Sequence, residues 1–171
     1  MGNCVLTSGI ALECLDNIGG IKSAVIGAYS DATTFTYDVD GSIATITSSE
    51  SFYSFKFRPQ TAGFTEELTK SLENGTMFWT QLVTMMFHKM DAAKRNTIAL
   101  LASASIQVIV ETQNGQYFII GLANGANTSA VTSGAGTAYG DKNGYDITIQ
   151  GLEPASAHLV SQAAYDSLTI V

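Results

Sequence analysis

Residues 71–87 read SLENGTMFWTQLVTMMF and hold the single tryptophan of the chain, Trp79, in an apolar run that follows an Asn-Gly pair. A helix is one reading, because Phe64, Leu68 and Leu72 recur at every fourth residue just upstream. A hairpin is the sharper one, since Asn-Gly is a strong short-range signal for a two-residue turn with positive φ at both central positions. With Asn74-Gly75 as that turn, Glu73 pairs with Thr76. One face then carries Thr65, Glu67, Thr69, Ser71 and Glu73 opposite Thr84, Leu82, Thr80, Phe78 and Thr76, and is mostly polar. The other sets Phe64, Glu66, Leu68, Lys70 and Leu72 against Met85, Val83, Gln81, Trp79 and Met77, with the Lys70 stem laid over the Trp79 ring. A single register that sorts polar from apolar on both arms favours the hairpin.

Such strands run to about ten residues against a usual five or six, and at about 3.3 Å per residue the hairpin reaches about 30 Å. Long strands with a polar face and open edges recruit other chains. They are safe when a multi-subunit barrel completes each edge with a neighbour and the polar face lines a lumen.

The rest of the chain is consistent with a self-associating β protein. Its 171 residues fit one domain, and 46% hydrophobic content suffices for a core. Charged residues make up 13%, well below the usual quarter or so, with small polar residues in their place. The net charge is −7 and Lys142 is the only basic residue after Arg95, which disfavours a phosphate-binding groove. Acidity beside DNA would instead let a duplex pass without sticking. No apolar run reaches the roughly 18 residues of a membrane span, and no secretory segment opens the chain. MGNCVL lacks the Ser or Thr that a myristoylation signal needs at position six, where Leu6 stands.

Residues 1–20 read as an arm ending at Gly19-Gly20, residues 21–154 as one β domain, and residues 155–171 as a tail. IKSAVIGAY is a buried strand, and TTFTYDVDGSIATITS a hairpin around Val39-Asp40-Gly41. SFYSFKFR alternates, with Tyr53, Phe55 and Phe57 on one side. Asp91 caps a helix near 91–102, the one confidently placed helix. SIQVIVETQNGQYFIIG is a second hairpin with Asn114-Gly115 as a two-residue turn. A long loop over 122–140 holds a weak strand near 130–139, and Asn143-Gly144 turns the chain into a strand with Tyr145, Ile147 and Ile149 on one face. The apolar C-terminus is predicted to pair with a sheet edge, in its own subunit or a neighbour's.

Chemical signatures are weak. His88 and His158 are the only histidines, and no nucleophile elbow accompanies them. GAGTAYG, residues 134–140, lacks the strand-to-helix setting that a dinucleotide needs. Asp38, Asp40 and Gly41 miss the calcium-loop spacing and read as a turn in which aspartate bonds its own backbone. Cys4 and Cys14 lack partner ligands at zinc spacing and read as free thiols. The expectation is no catalytic residue, no cofactor and no metal.

In organisation, residues 20–160 resemble the tail tube (major tail) proteins of tailed bacteriophages: a sandwich, the long hairpin GFTEELTKSLENGTMFWTQLVTMMF, the helix DAAKRNTIALLA, then VIVETQNGQYFIIG and NGYDITIQGLEP. These stretches look like structural proteins of phages infecting Bacteroidota. The resemblance implies a mainly β fold, a β-sandwich or half-barrel with one α-helix, in which each subunit gives four strands to the inner barrel of a hexameric ring. Rings would stack into a tube in the virion tail, assembled in the bacterial host cytoplasm. Its partners would be copies of itself and other tail proteins, with genomic DNA passing through the lumen without specific binding and no membrane involved. Thr65, Glu67, Thr69, Ser71, Glu73, Thr80 and Thr84 would then face the lumen, and the arm, the 122–140 loop and the tail would contact neighbouring rings. A neck, connector, baseplate or capsid-decorating protein is the first alternative. A carbohydrate- or protein-binding sandwich with a tyrosine such as Tyr139 in its platform is the second.

Overall fold

β-branched and aromatic residues alternating with small polar ones put about half of the described residues into strands. The computed structural model describes residues 9–10 and 15–171. In order come β1 (Ile21–Ala28), β2 (Thr34–Tyr37), β3 (Ile43–Thr47), β4 (Phe52–Lys56), β5 (Ala62–Ser71), β6 (Thr76–His88), α1 (Ala92–Ser103), β7 (Ile106–Thr112), β8 (Tyr117–Ile120), β9 (Ala126–Gly134), β10 (Gly144–Glu153), β11 (His158–Val160) and α2 (Gln162–Asp166). The chain is mainly β, as the alternation predicts.

Hydrogen bonding runs through all of these strands, yet β7 and β9 meet at a single bridge, Ile106 to Ala126. That bridge divides the sheet into two parts. One runs β4-β1-β7-β8-β11-β3-β2, and the other is an antiparallel set of four, β9-β10-β6-β5. β7 lies at the centre and its first five residues are buried on both faces. Its Ile106, Val108 and Val110 join β6 (Val83, Met85), β10 (Tyr145, Ile147, Ile149) and α1 (Ile98, Leu101) in one core. Its Ile109 joins Val25, Ile43, Phe52, Ile119 and Val160 in a second core on the other side.

The helix starts as predicted: the Asp91 carboxylate accepts the Lys94 backbone N–H at 2.8 Å. The tail also finds its edge, and finds it within its own chain. Phe52 N–H donates to the Thr169 carbonyl and Val171 N–H to the Phe52 carbonyl, so the last residues lie parallel alongside the start of β4. Between them lies a helix the sequence did not announce, α2, capped by Ser161, with Ala164 buried in the second core. Five residues give too little periodicity to read. On β4 the predicted aromatic face is real, but Phe52, on the opposite face, is the residue fully buried. It stacks over Gly27, where a Cβ would lie 2.8 Å from the Phe52 ring.

Three Asn-Gly readings change. Only the glycines have positive φ, Gly75 at 63° and Gly115 at 76°, so neither pair forms the predicted two-residue turn. At the second hairpin Thr112 N–H bonds the Gln116 carbonyl, leaving a three-residue loop. At the first, Ser71 pairs with Thr76 and residues 72–75 form the loop. Thr65 therefore faces Leu82, Glu67 faces Thr80 and Leu68 faces Trp79, while Lys70 lies opposite Met77 and Glu73 leaves the ladder for the loop. Asn143-Gly144 is not a turn: Gly144 begins β10, packed where a Cβ would collide with the Phe87 carbonyl. The strand placed near 130–139 is β9, which starts at Ala126.

The junction between the two parts of the sheet is polar and buried. Glu153, 3% exposed, accepts from the backbone N–H groups of Ala123 and Asn124 at 3.1 and 3.0 Å. Gln81, 2% exposed, accepts from Gly121 N–H and donates to the Ala155 carbonyl. Removing Glu153 leaves the Ala123 and Asn124 N–H groups without their acceptor. We expect Glu153→Ala to cost about 1–3 kcal/mol in urea unfolding, and Glu153→Gln, which keeps an acceptor, to cost less.

Several carboxylates sit below their ordinary range. Burial pushes Glu111 up, but hydrogen bonds from Lys22 and Ser23, with the Lys22 charge, outweigh it. The N–H of Lys94 lowers Asp91, and those of Ala138 and Thr137 lower Asp141. A depressed carboxylate favours the folded state above its unfolded pKa, and that contribution is lost as pH falls through the lowered value. Melting temperature should hold near neutrality and drop below about pH 4, and Glu111→Gln should shrink the drop.

Candidate functional site

The four-stranded set β9-β10-β6-β5 buries one face and exposes the other. Val83, Met85, Ile147 and Ile149 point into the core. Their neighbours point out: Thr65, Glu67 and Thr69 on β5 and Thr84 on β6 are exposed, and Ser71 and Thr80 are half-buried. The predicted polar face thus survives the change of register. The shift moves each partner by two residues, and a period of two returns every side chain to the same face. Glu73 alone of the predicted set is displaced, into the loop.

This face continues onto β10, where Thr148 lies beside Thr84, Gln150 beside Leu82 and Leu152 beside Thr80. Its acidic groups are Glu67 and Asp146, the latter paired with Lys142. β5, β6 and β10 present no lysine or arginine on this side; Lys70 is on the opposite one. A threonine-rich surface with little charge and no clustered cations makes poor contacts with phosphate.

The hairpin extends beyond its support. β10 ends with Glu153 opposite Trp79, so β6 before Trp79 has only β5 beside it. The chain crossing from β10 to β11 covers the inner face up to Glu66, whose carboxylate accepts the Ala157 N–H at 2.7 Å. Past that point the ribbon's apolar side is bare, with Leu68 43% and Met77 54% exposed, and Leu72 in the adjoining loop is 83% exposed. A two-stranded ribbon is marginal alone, and a bare apolar patch marks an interaction surface.

Both margins of the set carry free backbone. β5 pairs with β6 only, and β9, apart from its bridge at Ala126, with β10 only, among the described residues. A second apolar patch lies where Tyr53, Leu100 and Val171 rim a groove of about 610 Å³ between α1 and β4.

The remaining candidates stay apart. His88 is exposed at the end of β6. His158 lies on β11 with its Nδ1 3.2 Å from the Gly41 carbonyl and its ring edge-on to Tyr37. Asp40 accepts from the backbone and hydroxyl of Ser42, the turn role read from its spacing. Just beyond residues 134–140, Asp141 gathers the N–H groups of Thr137 and Ala138 at 2.8 Å, an ordering role that its place after GAGTAYG did not reveal. Cys4 and Cys14 lie outside the described residues. Among the described residues no three His, Cys, Asp or Glu side chains form a group that could hold a metal ion, and no helix is long and apolar enough to cross a membrane. Compared with models of known protein families and with curated proteins, the chain matches none.

If the overhang is a surface and not a core, truncating it should spare the fold. We expect Leu72→Ser and Met77→Ser to change stability by less than about 0.5 kcal/mol in urea unfolding. Val83→Ala, six residues along β6 from Met77, should cost about 1–3 kcal/mol.

Proposed function

We propose that this chain is a virion structural subunit that assembles with copies of itself into stacked hexameric rings, the tail tube through which phage DNA passes. The observation that carries the reading is the four-stranded set, β9-β10-β6-β5, with two free margins and one threonine-rich face. Each margin is an unpaired strand that a neighbour's opposite margin completes. Ring closure by such head-to-tail contacts removes every edge, which no monomer of this shape achieves.

In this reading Thr65, Glu67, Thr69, Ser71, Thr80 and Thr84 line the lumen, with Glu73 at the hairpin tip. Threonine hydroxyls keep the wall wet, and sparse carboxylates repel a passing duplex without binding it. The subunit does no chemistry, takes no cofactor and acts mechanically, in the virion tail, with other tail proteins as its further partners. Apolar overhangs pack against adjacent subunits or rings.

Negative-stain images of concentrated protein should show rings or tubes with a central channel; a monomer at every salt and protein concentration overturns the reading, and a ring of other symmetry moves it to the neck or baseplate. Glu67→Lys should leave rings intact and slow DNA passage, measured as ejection from reconstituted particles. Loss of ring formation instead would take Glu67 out of the lumen.

A further inference from the structure

We propose that Asn74, in the loop of the β5–β6 hairpin, is a site of spontaneous covalent modification, converting to aspartate or isoaspartate and adding a negative charge to the hairpin tip. In an Asn-Gly pair the glycine nitrogen attacks the asparagine side-chain carbonyl carbon. A new C–N bond closes a succinimide ring as the amide nitrogen leaves as ammonia. One water then opens the ring at either carbonyl, giving aspartate or isoaspartate. Glycine permits this because no Cβ obstructs the approach, and water is the only co-reactant.

The chain has four such pairs, at 74–75, 114–115, 124–125 and 143–144, and the fold separates them. Asn114 is held at both ends of its amide, donating to Asn17 and accepting the Ile18 N–H at 3.1 Å, while Gly115 N–H is tied to the Thr112 carbonyl at 3.0 Å. Asn124 donates its amide to the Leu152 carbonyl at 2.7 Å, and Gly125 is wedged where a Cβ would lie 2.5 Å from Ser105 Oγ. Asn143 accepts the Met90 N–H, and Gly144 is buried at the start of β10. Each of these amides or glycines must break hydrogen bonds or packing to reach the ring-closing geometry.

Asn74 has no such restraint. It is exposed, and its one hydrogen bond runs from its backbone N–H to Ser71 Oγ at 3.4 Å. Among the described residues neither its side chain nor the Gly75 N–H has a partner, and no heavy atom beyond Gly75 and its two chain neighbours lies within 4 Å of the point where a Gly75 Cβ would stand. The product carboxylate lies next to Glu73 and close to the bare Leu72 and Met77. Two adjacent charges raise the cost of burying that tip. Conversion therefore makes an ageing free subunit less able to assemble, a consequence that rests on the assembly reading above.

The test is peptide mapping by mass spectrometry on full-length protein held at mildly alkaline pH, folded and in urea. In the folded protein Asn74 should convert roughly tenfold faster than the other three, the ratio that one or two lost hydrogen bonds impose on a rate. In urea the four rates should converge. Equal rates in the folded protein overturn the proposal, and so does a ranking that persists in urea, since local sequence would then set it. For the consequence, Asn74→Asp and Asn74→Gln are compared for ring formation, with only the first expected to impair it. Rings from both equally remove the consequence. Absence of rings from the wild type together with fast conversion at Asn74 defeats the assembly reading and leaves the modification site standing.

Discussion

Backbone pairing along β6 is the constraint on which the rest depends. Thirteen residues long, β6 bonds β5 on one side and β10 on the other, and contributes Gln81, Val83 and Met85 to the interior. Its inward residues set the depth of the first core, and Gln81 holds the start of the loop that joins β8 to β9. Every outward residue is displayed as a consequence. A change that turned β6 over would send Val83 and Met85 to solvent and threonines to the core, so the exposed face is as strongly specified as the buried one.

Much of this was legible in the residues. The hairpin, its two faces, the capped helix at Asp91 and the inward side of Tyr145, Ile147 and Ile149 follow from period and capping chemistry alone. Turn lengths do not. An Asn-Gly pair signals that a glycine takes positive φ, but whether asparagine joins it depends on how far the flanking strands can pair, which is tertiary. Gly144 illustrates the reverse case: the same dipeptide serves close packing against Phe87, with no turn at all. The buried cluster of Gln81, Glu153 and the 121–125 loop was also invisible, because its members lie far apart in sequence and each looks like an ordinary surface residue.

The polar surface tolerated the register error because its identity resides in parity, not in partners. Thr65 meets Leu82 and not Thr84, yet both lie on the outward side. Functional readings that rest on which face a residue occupies are therefore sturdier than those that rest on a pair, such as the stacking of Lys70 on Trp79. Only residues near the turn, where a shift expels them from the ladder, lose their assignment, and Leu72 and Glu73 are the two so placed.

The two free margins differ in a way that bears on how copies could meet. β5 carries Glu66, Glu67 and Lys70, whereas β9, ANTSAVTSG, carries no charge. Charges on an edge strand discourage indiscriminate pairing. Two β5 edges laid antiparallel can set glutamates against each other, a like-charge opposition that costs stability. Beyond its bridge at Ala126, β9 offers a row of backbone donors and acceptors without that opposition. Pairing of unlike margins is the head-to-tail geometry, and in the proposed assembly it would spare the β5 edge that like-charge opposition.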